Sequence, residues 1–374
     1  MIAAIASAAG RSHVLDVDHD PDHHRVVVSM AALRGRLLDG VMAAVGAAIE
    51  HIDVRTHAGV HPRVGAADVV PIVPLGQSTL EDARELAREA GERIWSELKV
   101  PVYFYGEHRR LADIRAGRVR PDLGGPEHHP TAGAVSVGAR LSLVAFNVLL
   151  PETNVDAARA LARSMRESGA GMRGVQALVF ELPGGRVQLS MNLFRVDETP
   201  PAVVVAELVR RGVTVGEQQV VGLCPAIAAG EVAAGRLLEG RLAGAAARSG
   251  AARCRDLGGE EMVALAVRLE REAEGLARLG VAQEELLAGA ERAAALVPVL
   301  RVAHVLDTEL DLMLAAAARG LRAAISPSTA YMSVPVEAVC PRLPNACCWW
   351  PSKSRLMAPP ETLTEAPEPA GRWM

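Results

Sequence analysis

The sequence predicts an α+β protein with two adjacent α/β subdomains, the second ferredoxin-like (βαββαβ), followed by a small all-helical C-terminal segment. Up to about residue 228, short apolar runs typical of strands alternate with amphipathic helical patterns. Beyond that point only helical spacing continues. We place the subdomains at residues 1–139 and 140–228, the helical segment at 229–325 and a tail at 326–374. Half of the 374 residues are hydrophobic but only 3% are aromatic, so Ala, Val and Leu must build the cores.

The first subdomain is predicted to begin with a helix and a pair of strands. The Val26–Val28 run favours a pleated backbone in the second of these strands. Thr79 and Asp82 have the spacing of a capping box at the start of a later helix. Residues 117–138 are rich in Gly and Pro, which predicts an ordered loop rather than a packed element. The predicted elements are helix 2–9, strands 13–18 and 24–31, helix 33–51, strand 68–74, helix 79–98 and strand 101–106.

The second subdomain alternates more regularly between strand and helix patterns. Its hairpin is predicted to turn at Gly184-Gly185, because paired glycines suit a tight turn. The elements are strand 141–150, helix 154–168, strands 175–183 and 186–194, helix 200–212 and strand 217–223. This βαββαβ order is that of ferredoxin-like folds. Two α+β layers side by side leave a crevice, which is a usual place for a small-molecule site.

The remainder of the chain carries no mixed pattern. In residues 229–325, leucines such as Leu265, Leu269 and Leu276 recur at helical spacing, which predicts a small bundle or a dimer contact. Residues 326–374 contain scattered prolines and no periodicity, so we expect disorder there. The segment 229–325 is too short for a further large domain.

Composition excludes several classes of function. The net charge of −4 and the absence of a basic stripe argue against nucleic-acid binding. No run reaches the ~18 apolar residues of a membrane span, so no membrane association is expected. The five cysteines show no CxxC spacing, which argues against a zinc site or a disulfide framework. We therefore expect a cytoplasmic protein.

The stretch from His57 to Asp68 is the most informative part of the chain. It places two histidines, an arginine and an aspartate in a turn-rich connection that leads directly into an apolar strand. Ionisable loop residues beside a rigid strand are common in active sites. Histidine suits proton transfer because its ordinary pKa lies near neutrality. A polar loop closed by Pro62 and Gly65 is the alternative interpretation of these residues alone.

The segment His61-Pro-Arg-Val-Gly-Ala-Ala-Asp-Val-Val-Pro71, preceded by His57-Ala-Gly, resembles the signature of the glutamate formimidoyltransferase (formiminotransferase) family. The resemblance spans roughly residues 1–228 and implies the transferase part of formiminotransferase–cyclodeaminase, without the cyclodeaminase domain. It implies two α/β subdomains with the substrates bound between them. Further stretches agree in the family's order: 15–18, 24–25, 100–107, 114–117, 121–124, 138–140, 145–147, 188–192 and 221–223.

The resemblance implies transfer of a formimino group from N-formimino-L-glutamate to N5 of the co-substrate tetrahydrofolate, releasing glutamate. The family's catalytic histidine, a general acid/base, falls on His61. Its folate-binding loop falls on Gly124, Gly125, Pro126, Glu127, His128, His129, Pro130, Thr131, Ala132 and Gly133.

Other polar residues are candidates for binding the substrate. Arg63 and Arg140 can pair with its carboxylates, since guanidinium forks match such groups. Asp18 can hold the cationic amidine, or instead cap the turn at residues 20–22. Asn147 and Asn192 can face the crevice, or make ordinary hydrogen bonds at strand ends. Solvated arginines remain the alternative for Arg63 and Arg140.

The sequence also departs from the family pattern. It begins at the helix that follows the family's opening strand, and an absent first strand is expected to leave a sheet neighbour unpaired. Val60 stands where a Glu is usual, His24 where an Asn is usual, and Leu123 where a Phe is usual. These replacements bear on the substrate assignment more than on the fold.

Two other functions stay open at this point. Ten of the eleven histidines precede residue 130, which keeps a metal-dependent hydrolase in view, although no HExxH helix is present. We expect no metal. A folate-binding protein without catalysis is the third alternative. The donor can be formyl rather than formimino, and a homodimer is expected.

Overall fold

The computed structural model describes residues 1–57, 59–106 and 109–325. It is an α+β structure, as predicted, with three sheets followed by helices. Glu107, which belongs to one of the family-like stretches, and His108 lie outside the described residues. So does the tail 326–374, for which disorder was expected.

The N-terminal part contains the predicted helices and strands with small shifts at their ends. Helix α3 begins with the predicted capping box, in which Thr79 and Asp82 each bond the other's backbone N–H. A further short helix, α4, follows β4. The elements are α1 (Ile2–Ala8), β1 (His13–Asp20), β2 (Arg25–Ala31), α2 (Arg34–His51), β3 (Val69–Ile72), α3 (Leu80–Arg93), β4 (Val102–Tyr105) and α4 (Leu111–Arg115).

The expectation of a loop over residues 117–138 is wrong at its end. Strand β5 (Val135–Ala139) is the central strand of a parallel three-stranded sheet of order β3-β5-β4. Val135 and Val137 are fully buried. A central parallel strand is covered on both faces and shows no alternation. Its short apolar run was therefore hidden by the glycines and prolines that precede it.

The hairpin β1–β2 forms a separate antiparallel sheet with an irregular register between Val14 and Asp16. The next elements are β6 (Val144–Leu149), α5 (Val155–Met165), β7 (Val175–Leu182), β8 (Arg186–Leu193), α6 (Pro201–Arg210) and β9 (Gln218–Val221). Their four strands pair antiparallel in the order β7-β8-β6-β9, so the βαββαβ prediction is confirmed. The boundaries at residues 139 and 228 stay predictions.

The two faces of the four-stranded sheet differ in character. Alternate residues such as Phe146 and Leu189 pack under α5 and α6 in a fully buried core. Because side chains alternate along a strand, Asn147, Phe180 and Asn192 lie on the opposite face. That face carries the residues that matter for the site.

The helical segment comprises α7 (Leu238–Leu257), α8 (Glu260–Ala277), α9 (Gln283–Val302) and α10 (Thr308–Ile325). Its Ala- and Leu-rich faces pack on one another and on Leu15 of β1. Glu309 of α10 is buried and connects the segment to α2, accepting hydrogen bonds from Leu33 N (3.0 Å) and Arg36 Nη1 (2.8 Å). Within the described residues, no helix is long and apolar enough to cross a membrane.

Replacing Glu309 with alanine is expected to lower the free energy of unfolding by about 1–3 kcal/mol, because the N–H of Leu33 loses its acceptor at a part-buried position. Urea unfolding at equilibrium measures the change. The matched control is Glu270→Ala, which removes an exposed pair with Arg255 and should cost less than about 1 kcal/mol. Equal costs in the two variants would show that Glu309 does not anchor the helical segment.

Candidate active site

The loop that carries His61 is tied to the segment predicted to bind folate. Gly65 pairs with Gly133, Ala134 N donates to Val64 O (2.9 Å), and Ala66 N donates to Ala132 O (2.9 Å). A Cβ on Gly65 would lie 2.0 Å from Ala134 O, so only glycine allows this approach. The loop and the segment are therefore held together by backbone contacts.

Arg63 and Asp68 hold the loop from within. The guanidinium of Arg63 donates to Gly59 O (2.7 Å) and to His61 O (3.0 Å). The Asp68 carboxylate accepts from Val64 N at 2.6 Å. These contacts give Arg63 a structural task that the sequence did not indicate. They also restrict the backbone position of His61.

His61 is half-buried between the loop and the four-stranded sheet. Its ring centroid lies 5.9 Å from that of Phe180 on β7 and 6.2 Å from that of His23. Burial, followed by the positive charges of Arg25 and Arg115, lowers the pKa of His61 to about 3. The imidazole is therefore neutral near pH 7 and has a lone pair to accept a proton.

Arg25 and Arg115 are the site residues that the sequence analysis missed. The Nε atoms of both are buried and have no hydrogen-bond partner among the described residues. Arg115 uses Nη2 to contact Asp68 at 2.6 Å. Buried donors without partners are rare and costly, so two of them near one histidine indicate a site for an acidic group. Both lie inside family-like stretches, which was the available signal.

Arg140 remains a candidate for binding a carboxylate. It directly follows β5, donates from Nη1 to Leu141 O (3.0 Å), and forms no ion pair in the part of the chain that the structure describes. It lies beside Tyr105, where burial raises the pKa of the phenol and Arg140 opposes that shift. The positive charge of Arg115 also acts on Tyr105, so the two arginines belong to one neighbourhood.

Asp18 makes contacts that the sequence analysis did not predict. Its Oδ2 accepts hydrogen bonds from Gly222 N (2.7 Å) and Arg236 Nη1 (2.9 Å), which connect β1 to the chain after β9. These partners bind Oδ2 and give Asp18 a structural task, and amidine binding by this carboxylate stays a prediction. The turn at residues 20–22 is capped by Asp20, which accepts from His23 N at 3.0 Å.

The two asparagines lie on the sheet face that carries Phe180, but in different settings. Asn147 is buried and its amide is hydrogen-bonded to that of Gln219 on β9 (3.1 Å). Asn192 is exposed and pairs in register with Ala145. Asn192 is thus the one of the two that is open to a ligand.

The predicted folate segment is shaped by glycines in left-handed conformations. Gly124, Gly125 and Gly133 have φ of 96°, 81° and 71°, which other residues rarely adopt. His129 and Gly133 exchange backbone hydrogen bonds of 2.8 and 2.9 Å, closing a tight turn. The segment therefore has a defined shape without regular secondary structure.

A cavity of about 400 Å³ lies where this segment meets the His61 loop. Its lining includes Arg63, Arg115, Pro126 and His128. The Tyr103 hydroxyl lies 2.8 Å from Nε2 of His128 and fixes that ring. Residues that the sequence predicted in both segments therefore line one cavity. Arg115 lines the same cavity, and its positive charge also acts on His61.

The replacement of Asn by His at position 24 is accommodated by the backbone. His24 has φ of 50°, a region that Asn favours and His tolerates. Its ring stacks on His57 with centroids 3.9 Å apart. In the described ranges, no group of three or more His, Cys, Asp or Glu side chains is arranged to hold a metal ion.

Comparison with known proteins gives a consistent result. A family profile described as "Formiminotransferase domain, N-terminal subdomain" matches residues 1–140. The chain is 36% identical to the glutamate formimidoyltransferase of Thermoplasma acidophilum over 57% of this chain and 78% of that protein. It is 35% identical to the glutamate formimidoyltransferase of Streptococcus pyogenes, over 62% and 85%. It is 34% identical to the formimidoyltransferase-cyclodeaminase of Sus scrofa, over 60% and 47%.

Proposed function

Because the chain belongs to the glutamate formimidoyltransferase family, we propose that it transfers the formimino group of N-formimino-L-glutamate to N5 of tetrahydrofolate. The products are 5-formiminotetrahydrofolate and glutamate. The observation that carries the proposal is the position of His61, a neutral imidazole near Arg25 and Arg115, whose buried Nε–H groups have no partner among the described residues.

His61 is the general acid/base of the proposed reaction. The N5 lone pair attacks the amidine carbon, which forms the N5–C bond and a tetrahedral intermediate. N5 gives its proton to the neutral imidazole of His61. The imidazolium then passes this proton to the glutamate nitrogen as the carbon–nitrogen bond to glutamate breaks. One imidazole serves both steps and is regenerated neutral.

The arginines hold the donor by its two carboxylates. Arg25 and Arg115 present buried Nε–H groups that lack a partner among the described residues. Arg140 adds a third guanidinium and, unlike Arg115, forms no ion pair within those residues. Charge-assisted hydrogen bonds of this kind are short, strong and geometrically specific. The bound carboxylates also neutralise the charges that depress the pKa of His61. Binding of the donor therefore moves the pKa of His61 upward, toward the neutral pH at which it exchanges protons.

Tetrahydrofolate occupies the side of the site formed by the segment from Gly124 to Gly133. The support is that this segment borders the 400 Å³ cavity together with Arg63 and Arg115. Asn192 is exposed on the face of the four-stranded sheet that carries Phe180, and is a further contact for the substrates. Asn147 orders that face through Gln219. The homodimer and the cytoplasmic location stay predictions.

The direct test incubates the purified protein with tetrahydrofolate and N-formimino-L-glutamate and measures free glutamate and 5-formiminotetrahydrofolate. Equal amounts of both products support the proposal. Folate binding without glutamate release would instead show a binding protein without catalysis. Glutamate release that needs no folate and stops with a chelator would show a metal-dependent hydrolase.

The pKa of His61 is expected to rise by about one unit or more when L-glutamate fills the site, because carboxylates then neutralise Arg25 and Arg115. In the free protein the ring should stay neutral down to about pH 4, since its pKa is about 3. Imidazole ¹⁵N shifts recorded from about pH 2 to about pH 8 cover the titration of the ring in both the free and the bound protein. Glutaramide, which has the same length but no charge, is the control. An unchanged pKa at saturating L-glutamate would place the carboxylates elsewhere.

A further inference from the structure

A second histidine is fixed beside His61 by a carboxylate. His23 is 1% exposed, and its Nδ1 lies 2.8 Å from Oδ2 of Asp20. Its backbone N–H donates to Oδ1 of the same carboxylate at 3.0 Å. Burial alone would raise the pKa of Asp20, but these hydrogen bonds from His23 bring it below its ordinary value. Asp20 is therefore an ionised acceptor, and Nδ1 of His23 must carry the hydrogen.

The second ring nitrogen of His23, Nε2, is a buried hydrogen-bond acceptor. With the hydrogen on Nδ1, Nε2 presents a lone pair, and it has no partner among the residues that the structure describes. Burial, opposed by Asp20, lowers the pKa of His23, so the ring stays neutral near pH 7. Phe180 packs edge-on against it at 5.1 Å, and His61 lies 6.2 Å away between centroids.

Three of the residues that act electrostatically on His61 therefore have a buried polar atom without a partner in the described chain. Arg25 Nε and Arg115 Nε are donors, which suit carboxylate oxygens, whereas His23 Nε2 is an acceptor and needs a hydrogen. A donor molecule with both carboxylates and an N–H group satisfies all three. The terminal nitrogen of a formimino group carries hydrogen in its neutral and its cationic form. The oxygen of a formyl group carries none.

We propose that His23, held by Asp20, is the residue that selects a formimino donor over a formyl donor, by accepting an N–H of the terminal formimino nitrogen at Nε2. This inference rests on the proposed function and names its substrate more narrowly. His23 exchanges no proton in the reaction. The hydrogen bond persists while the N5–C bond forms and the carbon–nitrogen bond to glutamate breaks, and His61 alone carries the proton. A formyl oxygen in the same place meets the Nε2 lone pair and leaves it unpaired.

Asp20→Asn tests the proposal because it should reverse the tautomer. The atom that accepts from the His23 backbone N–H must be the amide oxygen. The amide NH₂ then faces Nδ1, and the ring hydrogen moves to Nε2. The measured quantity is the ratio of kcat/KM for N-formimino-L-glutamate to that for N-formyl-L-glutamate, with tetrahydrofolate as acceptor. Effects common to both donors cancel in this ratio.

We expect Asp20→Asn to lower the ratio by about 10- to 100-fold, the size of losing one buried hydrogen bond and gaining an opposed one. His23→Gln, which offers both a donor and an acceptor, should lower it by a smaller factor. His19→Gln on β1 is the matched control, since His19 is exposed, and should leave the ratio unchanged. A ratio in Asp20→Asn and His23→Gln equal to that of the wild type would overturn the proposal.

Binding without turnover separates this inference from the proposed function. In ¹⁵N-histidine-labelled protein, Nε2 of His23 should resonate as an unprotonated nitrogen and should move with N-formimino-L-glutamate but not with N-formyl-L-glutamate. If this shift is seen but no formimino group is transferred, the proposed reaction is overturned and the role of His23 is supported. Transfer with an unaltered ratio in the variants would support the reaction and overturn the role of His23. Neither transfer nor response would overturn both.

Discussion

Replacing His61 with alanine is expected to lower kcat by about 10²–10⁴-fold, the usual cost of losing a general acid/base group. The affinity for folate should stay close to that of the wild type, because the segment from Gly124 to Gly133 is held by its own backbone bonds and by those from Val54 and Ala66. Steady-state rates of glutamate release measure the first effect. Equilibrium binding of tetrahydrofolate measures the second.

His57→Ala is the matched control for this variant, because His57 lies four residues before His61 in the same stretch. Its ring stacks on His24 and its Nε2 contacts His24 O at 3.2 Å, so it positions the chain beside the site. We expect a loss of less than about tenfold, since general acid/base groups account for larger losses. Near-normal turnover in His61→Ala would move the acid/base role to another group. Equal damage in both variants would bring a metal site back into consideration.

Replacing Arg25 with methionine is expected to raise KM for N-formimino-L-glutamate by about 10- to 100-fold, since a hydrogen bond to a charged group contributes about 1.5–3 kcal/mol. Methionine keeps much of the apolar stem and removes the guanidinium. The unsatisfied Nε–H of Arg25 is the group that should be lost from the donor site. KM for tetrahydrofolate should change little, which distinguishes lost donor binding from a general collapse of the site.

Arg34→Met at the exposed start of α2 is the control for Arg25→Met. Its guanidinium pairs with Glu85 and Glu89 on the surface, outside the proposed site. It should leave both KM values unchanged. An unaltered KM for the donor in Arg25→Met would show that this arginine balances charge within the protein and does not bind a carboxylate.

The sequence by itself determined those features that depend on local pattern. The βαββαβ order was predictable because each strand and helix carries its own periodicity, and the turn at Gly184-Gly185 is marked by residues that suit positive φ. The capping box at Thr79 was predictable for the same reason. The loop of His61 could be predicted as a candidate site because its ionisable residues lie within twelve residues of one another in the sequence. The assignment of its catalytic role came from family resemblance and stays a prediction.

Only the tertiary structure decided which side chains meet around His61. Arg25, Arg115 and Phe180 belong to three different elements, and no local pattern brings a hairpin strand, a short helix and β7 together. Burial in turn decided the charge state of His61, because desolvation and nearby guanidiniums depend on the packed arrangement. Asp18 shows the same principle. Packing places Arg236, 218 residues away along the chain, against its carboxylate, a contact that no local motif indicates.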